Sequence, residues 1–535
     1  MKDRDPWVLA IDMGTSAVKA ALVSSRGEVA SSATLPISTR LLPRGGAEQD
    51  PEEWWKQVTG AARATLAEQP ALREKIVAVA CTTQWAVTVP VDRYGNPLGP
   101  AISWMDTRGA PYVRAIVRGW PNVSGYGAYK LFTWIRLTGG APSRSGVDGL
   151  GHVLFLKNEQ PELYRAAYKF LEPMDYLNAR LTGRIAASYG TMFPYWLTDN
   201  RNPHRIYYHP RLLAWAGIEP EKLPELKPVN SVLGPLRPEV AEELGLRPDT
   251  VVVMGSSDGH SAAIGAGSVR DFVGYFYVGT TAWLSCHVPW KRSDLRHMLT
   301  TMPAALAGRY VVAAEQGMAG RCLEFLKDNV LLPSNDPSVA PLEDPYAYLG
   351  SLAASVAPGS DGLLFTPWIN GVLAPRDDPW TRSAFVNQSH RTTRAHYVRA
   401  VMEGVAFNVR WLRVHVEKFV GRPFPDLRFI GGAAVSDLWC QIFADILNCR
   451  ILRPAHPRAA NAVGAAFAAF ATLGVLDAER MEQRIAIERV FTPDRSTRQL
   501  YDERFGEFLD LYRRLGPVYR RLNRRSARSE SGASA

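Results

Sequence analysis

The stretch Asp12-Met13-Gly14-Thr15-Ser16 follows the first apolar run of the chain, residues 7–11. An acid, a glycine and two hydroxyls lie within five residues, and a second apolar stretch begins at Ala17. This pattern predicts a strand, a tight turn and a second strand. The tip of such a hairpin presents backbone N–H groups and hydroxyls that can hold a phosphate, and Asp12 beside it can hold a hydrated magnesium ion. Taken alone, the pattern also fits an ordinary surface hairpin.

The same pattern returns about halfway along the chain. Residues 272–278 and 282–288 are predicted strands, and Gly279-Thr280-Thr281 is the turn between them. Each hairpin is followed by further strands and helices, which predicts two duplicated α/β domains with a cleft between them. We expect an N-terminal domain over residues 7–267 and a C-terminal domain over 268–480. A helical extension with a basic disordered tail is expected over 481–535.

Local signals predict the elements between the hairpins. Asp50 is a good N-cap for a helix that begins at Pro51 and runs towards Ala67, and Glu53 would complete a capping box. Strands are predicted over residues 75–81, 86–91, 251–254 and 427–430. Further helices are predicted over residues 394–419 and 437–447 and from Ala462 onward.

The composition is that of a soluble globular protein of more than one domain. Of the 535 residues, 46% are hydrophobic and 21% are charged. The net charge of +10 is misleading, because the last 25 residues hold seven arginines and one glutamate, and the other 510 carry only +4. We therefore do not expect nucleic-acid binding. No apolar run reaches the ~18 residues of a membrane span, and the five cysteines are scattered without metal-ligand spacing, which fits a reducing cytoplasm.

Asp258 is the candidate catalytic base. It follows a strand of apolar residues, 251–254, in the loop Gly255-Ser256-Ser257-Asp258-Gly259-His260, and it opens a helix of small residues. A carboxylate at the C-terminal edge of a strand faces the crevice where α/β proteins bind their ligands. The alternative is that Asp258 serves only as the N-cap of the helix. His260 is interpreted as a packed or capping residue.

Several motifs, in order over residues 7–476, resemble those of the FGGY carbohydrate kinases, whose fold is shared with actin, hexokinase and Hsp70. The resemblance is closest to the xylulokinase-like branch. It rests on the Asp12 turn with Lys19, the stretch from Glu48 to Trp55, the Trp-x-Asp-x-Arg motif at Trp104, the turn at Gly279, and the adenosine motif at Gly431.

The resemblance implies ATP and Mg²⁺ as cofactors, Asp258 as catalytic base and Asp12 as magnesium ligand. It also implies a nucleotide site made of the two turns and the adenosine motif, with these residues: Asp12, Gly14, Thr15, Ser16, Lys19, Gly279, Thr280, Thr281, Gly431, Gly432, Ala433 and Trp439. Two alternatives stay open. Lys19 could be a solvated strand residue, and Gly431-Gly432 could be a plain strand-to-helix turn.

The acceptor site is expected to contain Gln84, Trp85, Trp104, Asp106 and Arg108, since indole faces suit the carbon side of a polyol and polar groups suit its hydroxyls. Trp104 could instead be a core residue, and Arg108 could be a buried partner of Asp106. The sequence departs from xylulokinases here. Trp85-Ala86-Val87 stands where they carry Met-His-Gly, Gly259 stands where an amide is common, and His152 to Phe155 stands where they carry Lys-x-x-Trp.

These expectations describe a cytoplasmic kinase that phosphorylates a hydroxyl of a small sugar or polyol with ATP. The preferred acceptor is a ketopentose such as xylulose or ribulose. The alternatives are another polyol, such as glycerol, a tetritol or a cyclitol, and a non-catalytic, nucleotide-dependent regulatory member of the fold. We expect no nucleic-acid or membrane partner, and a homodimer is left open.

Overall fold

The computed structural model describes residues 5–229, 231–333 and 342–532. Its framework is a pair of six-stranded mixed sheets. The first contains β1 (Trp7–Met13), β2 (Ala17–Ser24), β3 (Val29–Pro36), β4 (Ile76–Thr83), β5 (Val232–Pro235) and β6 (Val251–Val253). The second contains β7 (Tyr275–Val278), β8 (Thr281–Ser285), β9 (Glu315–Met318), β10 (Asp426–Ile430), β11 (Arg450–Pro454) and β12 (Ile487–Phe491).

The two sheets share their strand directions, but their edge strands come at different points of the chain: β5 precedes β6, whereas β12 follows β11. Their strand orders are β3-β2-β1-β4-β6-β5 and β9-β8-β7-β10-β11-β12. In each, the first hairpin is antiparallel, the next two strands are parallel to its first strand, and the edge strand is antiparallel. The predicted duplication of an α/β unit is thus confirmed for five of the six strands of each sheet.

Helices cover both sheets. They are α1 (Pro51–Glu68), α2 (Ala110–Val117), α3 (Ala128–Thr138), α4 (Gly149–Glu159), α5 (Pro161–Ala166), α6 (Pro173–Thr182), α7 (Pro210–Ala216), α8 (Pro238–Leu244), α9 (Asp258–Gly265), α10 (Gly320–Leu326), α11 (Pro345–Ala354), α12 (Arg394–Val420), α13 (Asp437–Leu447), α14 (Ala460–Thr472), α15 (Ala478–Arg484) and α16 (Arg498–Gly532).

Short strands complete the fold. A three-stranded sheet contains Arg40–Leu42, Gly46–Gln49 and Ala101–Ile102. A four-stranded sheet contains His287–Val288, Ser293–Asp294, Leu299–Pro303 and Tyr310–Ala313. Isolated pairs join Val89–Val91 to Lys169–Leu171, Asn122–Val123 to Tyr126–Gly127, Ala186–Ser188 to Glu225–Lys227, Thr198–Asp199 to Tyr207–Tyr208, and Leu364–Thr366 to Ala384–Val386.

The alternation of β1 shows how the first sheet is buried on both faces. Leu9 and Ile11 pack into the core that contains residues of α1, whereas Val8 and Ala10 pack against residues of α14. Successive side chains of a strand point to opposite faces, so one apolar run serves both layers. Because α14 follows the second sheet in sequence, this packing ties the two halves together.

Helices α9 and α14 cross at two glycines. A Cβ added to Gly265 would lie 1.7 Å from the carbonyl oxygen of Ala460, and one added to Gly464 would lie 1.8 Å from that of Ser261. Both contacts are with backbone, which has no side-chain rotamer by which to move away. The two helices can therefore approach this closely only with glycine at both positions.

Some predicted elements are wrong. The strand expected over residues 86–91 is confined to Val89–Val91, because Ala86 takes a left-handed conformation with φ 56°. Asp50 caps α1 through the N–H of Glu52, but Glu53 accepts from Ser38 instead of completing a capping box.

The C-terminal end also differs from the expectation. Strand β12 belongs to the second sheet, and Tyr501 and Phe508 of α16 lie in its core, so the C-terminal unit extends beyond residue 480. The described backbone of the arginine-rich end is helical as far as Gly532, where a disordered tail was expected. Asn523 of this helix donates to the carbonyl of Trp380 at 2.7 Å.

Candidate active site

Three neighbouring strands of the first sheet bring the candidate residues to one edge. Strands β1, β4 and β6 are parallel, so their C-terminal ends meet at the same side of the sheet. Asp12 lies beside Thr82 in the register, and Thr83 forms a bridge with Ser257, the residue before Asp258. Adjacent strands lie about 4.8 Å apart. The topology therefore places Asp12, the loop after Thr83, and Asp258 side by side.

Asp258 is the first residue of α9, and Ser257 occupies the N-cap position. The Oδ1 of Asp258 accepts the N–H of Gly259 at 2.7 Å. Burial raises the pKa of Asp258 to about 7, the negative charges of Asp12 and Glu315 add to the rise, and the bond from Gly259 opposes it. Asp12 comes from the first half and Glu315 from the second, so Asp258 lies where the two halves face each other.

Asp12 is held between the halves in the same way. Burial raises its pKa, while the positive charge of Lys19 and a hydrogen bond with Asn461, at the start of α14, act in the opposite direction. Two repelling carboxylates at one sheet edge fit a divalent cation, which would relieve their repulsion. The described residues contain no group of three or more acidic, His or Cys side chains that could hold a metal ion. Magnesium would therefore share its coordination with phosphate oxygens.

The first phosphate turn has the predicted hairpin form. The N–H of Gly14 donates to the carbonyl of Ala17 at 3.0 Å, and the side chain of Ser16 is exposed. The hydroxyl oxygen of Thr15 accepts the indole N–H of Trp104 at 3.1 Å. A hydroxyl that accepts one bond keeps its own hydrogen for another partner. Thr15 is therefore arranged as a donor, which suits a phosphate oxygen.

The second turn and the adenosine motif line one cavity of about 560 Å³, within the ~300–1,000 Å³ that ligand pockets usually enclose. Gly279, Thr280, Gly432, Ala433 and Trp439 all contribute to its wall.

Two other predicted nucleotide residues stand behind this wall. The carbonyl of Thr281 accepts the N–H of Gly279 at 2.9 Å. Gly431 has φ 100°, and a Cβ there would lie 2.5 Å from the carbonyl of Val278. Side chains that the sequence analysis missed complete the lining, among them Arg321, Asp344, Tyr346 and Arg458.

Lys19 is neither a free surface residue nor directed at a turn. Its Nζ donates to the carbonyl oxygen of Arg458, which belongs to the second half and lines the cavity. It thus links β2 to the nucleotide wall and places a positive charge near Asp12.

Trp85 belongs to an aromatic cluster near Asp258. Its indole N–H donates to the carbonyl of Thr191 at 2.9 Å, and its ring centroid lies 5.6 Å from that of Phe193 and 5.8 Å from that of His260. His260 itself bonds Ser257 at 2.6 Å and the carbonyl of Pro303 at 2.8 Å, as a packed residue would.

The second half supplies a further part of this wall, which the sequence analysis missed. Trp283 stacks on Tyr277 with centroids 3.9 Å apart and donates to the hydroxyl of Tyr275 at 3.2 Å. Tyr275 in turn donates to the carbonyl of Gly259 at 2.8 Å. Trp283 stands four residues after Gly279, so the repeated hairpin was the signal that could have identified it. Only the fold shows that it lies near Asp258.

Asp106 and Arg108 are held by partners within the protein. Asp106 is fully buried and accepts the N–H of Ala47 at 2.9 Å and the guanidinium of Arg108 at 2.6 Å. Arg108 also pairs with Glu48 at 2.8 Å and stacks over the ring of Phe155. The contact of these two residues with the acceptor stays a prediction. They form a buried ion pair that shapes the loop after Trp104, the alternative that the sequence left open.

Gln84 and Trp104 have defined partners as well. Gln84 is 3% exposed and donates to the side chain of Gln49 at 2.6 Å, and its own Oε1 is sealed from solvent. Trp104 is half-buried, and its indole N–H donates to the hydroxyl of Thr15. Both therefore contact the surroundings of the phosphate turn.

Family models agree with this architecture. The model for the N-terminal domain of the FGGY carbohydrate kinases matches residues 7–265, and the model for the C-terminal domain matches residues 275–473. The chain belongs to the FGGY family of carbohydrate kinases. This FGGY kinase has the two-domain fold of its family and is an enzyme that uses ATP to phosphorylate a small carbohydrate. Among its described residues, no helix is long and apolar enough to cross a membrane.

Named relatives span different acceptors. A xylulose kinase of Staphylococcus epidermidis is 28% identical over 514 residues, covering 95% of this chain and 96% of that protein. A gluconokinase of Bacillus subtilis is 24% identical over 517 residues, covering 96% and 97%. A xylulose kinase structure from Rhodospirillum rubrum is similar with a TM-score of 0.79 at 25% identity, covering 96% of this chain and 99% of that one.

The pKa of Asp258 has a consequence for stability. Folding raises it from 3.8 to about 7, so between these values the folded protein binds the proton that the unfolded chain has lost. Relative to Asp258→Asn, the free energy of unfolding of ligand-free wild type should be highest below about pH 4. It should fall progressively as the pH rises to about 7. Denaturant unfolding of both proteins across this range measures it. A difference that does not vary with pH would contradict the assignment.

Proposed function

We propose that this FGGY kinase transfers the γ-phosphoryl group of ATP to a hydroxyl of a ketopentose such as xylulose or ribulose, with Asp258 as the general base. The position of Asp258 carries the proposal. It lies at the edge of the first sheet beside Asp12, close enough to Glu315 of the second half for their charges to interact. A carboxyl whose pKa lies near neutrality can accept a proton from an alcohol as its oxygen attacks phosphorus.

The other residues have positioning and electrostatic roles. The hydroxyl of Thr15, oriented by Trp104, donates to a phosphate oxygen, and Gly279 and Thr280 hold phosphates from the opposite half. The cavity beside Trp439 holds the nucleoside. A magnesium ion bound at Asp12 would neutralise phosphate charge. Phosphoryl transfer requires little from the protein beyond such positioning and charge stabilisation.

The charges around the base favour a neutral acceptor over a sugar acid. Asp258 interacts electrostatically with Asp12 and with Glu315, and Lys19, the cation near Asp12, is engaged with a carbonyl. An acceptor carboxylate would meet net repulsion there, whereas hydroxyls find acceptors. The aromatic rings of Trp85 and Trp283 offer apolar faces to the carbon chain.

The space beside the base favours a longer acceptor than glycerol. A Cβ built on Gly259 meets no atom within 4 Å, so the position next to Asp258 is open. A five-carbon sugar would occupy that space and use more hydroxyl contacts than a three-carbon polyol.

An ADP-release screen tests the proposal. The panel contains xylulose, ribulose, glycerol, erythritol, myo-inositol and gluconate, each with and without magnesium. We expect the highest kcat/KM with a ketopentose and no turnover without the metal. Faster turnover of gluconate or glycerol would contradict the acceptor assignment, and the absence of turnover with every acceptor would contradict the enzyme role.

Replacing Gly259 by leucine should change acceptor preference without disturbing the fold. The new side chain enters open space, and the backbone bonds of residue 259 to Asp258 and Tyr275 remain. We expect kcat/KM to fall about tenfold or more for the ketopentose and much less for glycerol, because the filled space excludes the longer chain. Steady-state kinetics with both acceptors measures this. An equal loss for both would contradict the size argument, and unchanged thermal unfolding is the control.

A further inference from the structure

Gln49 joins two loops of the active site through one buried side chain. It is 3% exposed and ends the short strand Gly46–Gln49. Its Nε2 donates to the carbonyl of Thr15 at 2.8 Å and to the hydroxyl of Thr39 at 2.8 Å. Its Oε1 accepts the Nε2 of Gln84 at 2.6 Å. Both amide hydrogens of Gln49 and its carbonyl oxygen are therefore engaged.

The two loops that meet at Gln49 belong to different parts of the site. Thr15 lies in the first phosphate turn, whereas Gln84 begins the loop that carries Trp85. The backbone of Gln84 also donates to the carbonyl of Met13 at 2.7 Å, just before the turn. The phosphate turn is thus held from one side by Gln49 and Gln84 and from the other by Trp104.

The backbone around Gln49 is held by secondary structure on both sides of the residue. Gln49 pairs with Ala101 in a short sheet, and Asp50 caps α1 immediately afterwards. Strand Ala101–Ile102 leads to Trp104. The same small sheet therefore fixes both side chains that reach Thr15.

We propose that Gln49 is a positioning residue that holds the acceptor loop and the phosphate turn in register through the chain Gln84–Gln49–Thr15. This inference rests on the proposed kinase function and adds a residue to it. A loop that carries the acceptor and a turn that carries the phosphoryl group must meet within a fraction of an ångström. A displacement of about 1 Å can cost about 100-fold in rate.

Two variants remove the link from opposite ends, and a third serves as a matched control. Gln49→Met removes both of its bonds to the active-site loops, and Gln84→Met removes only the bond between the loops. Thr39→Val removes the third bond of the same Nε2, at the same 2.8 Å, but Thr39 lies in neither loop. A residue that only stabilises the fold would show similar effects in all three variants.

The expected results concern rate and coupling. On the acceptor with the highest wild-type turnover, Gln49→Met and Gln84→Met should each lower kcat about 100-fold, with little change in KM for ATP. The double variant should be no slower than the slower single variant, because both changes break one chain. Thr39→Val should retain wild-type kcat. A normal kcat in Gln49→Met, multiplicative losses in the double variant, or an equal loss in Thr39→Val would overturn the proposal.

A measurement without turnover keeps the inference separate from the proposed function. Amide hydrogen exchange in ligand-free Gln84→Met should quicken at residues 14–16 as well as at 84–87, and Thr39→Val should leave residues 14–16 unchanged. Quickening confined to residues 84–87 would overturn the link even in an active enzyme. If the acceptor panel gave no turnover, the exchange result would still decide whether the two loops are joined. The exchange measurement also remains decisive if Gln49→Met does not fold, because it uses Gln84→Met, which retains the buried amide of Gln49.

Discussion

Asp258→Asn should lower acceptor-dependent ADP release about 1,000-fold while nucleotide binding persists. A positioned general base contributes about 10²- to 10⁴-fold, and an amide cannot take the proton. The nucleotide cavity is formed by Gly279, Gly432 and their neighbours in the second half. Asparagine nearly matches aspartate in shape, so the start of α9 should keep its geometry. Steady-state kinetics and calorimetric titration with ADP measure the two effects separately.

The interpretation depends on where the loss appears. If kcat falls and KM for the acceptor is nearly unchanged, the carboxylate acts mainly in the transition state. Loss of ADP binding would instead point to a structural role for Asp258, and near-normal turnover would remove it as the base. Gly259→Leu provides a control at the adjacent position, because it leaves the carboxylate in place and should change acceptor preference.

The variant should also be more stable than wild type above about pH 7. Burial, Asp12 and Glu315 all disfavour the ionised carboxylate, and asparagine removes that charge. Residues that serve chemistry are commonly held at a cost in stability. Gain of stability with loss of turnover in one variant would distinguish a catalytic carboxylate from a structural one.

Much of the framework could be predicted because its signals are local. The two hairpins each combine apolar strands with a Gly-Thr turn, and they fall in equivalent places in the two sheets. Helix α13 has the predicted bounds, since Ser436 caps it and its apolar period is clear. Strand β12 was missed because a short, charged edge strand carries little pattern of its own.

The site was less predictable because its contacts are long-range. Asp106 and Arg108 have the residue types of a hydroxyl-binding site, but Glu48 and Ala47 take up their polar groups from a segment about sixty residues away. Trp283 and Glu315 approach Asp258 only after the two halves meet. Polar chemistry in a sequence thus indicates that a group has a partner, whereas the fold decides whether that partner is a ligand or the protein.

Gly464→Ala should destabilise the protein strongly, although alanine favours helices. An alanine Cβ at this position would lie 1.8 Å from the carbonyl oxygen of Ser261, and backbone on both sides prevents relaxation. Forced overpacking usually costs about 1–3 kcal/mol and occasionally more. We expect about 3 kcal/mol or more, measured by denaturant unfolding.

Gly506→Ala is the matched control. Gly506 also lies within a helix, α16, but it is exposed and an added Cβ meets no atom within 4 Å. There the same change should stabilise the protein by about 1 kcal/mol or less, through helix propensity alone. Similar effects at the two positions would show that the helix crossing tolerates a side chain.

The crossing also bears on catalysis. Helix α9 begins at Asp258, and α14 begins at Ala460, next to the Asn461 that bonds Asp12. Helices pushed apart at Gly464 would move the base relative to Asp12, so any Gly464→Ala protein that folds should lose about 100-fold or more in kcat. Retention of full activity in folded Gly464→Ala would mean that Asp258 is positioned by its own loop rather than by contact between the two halves.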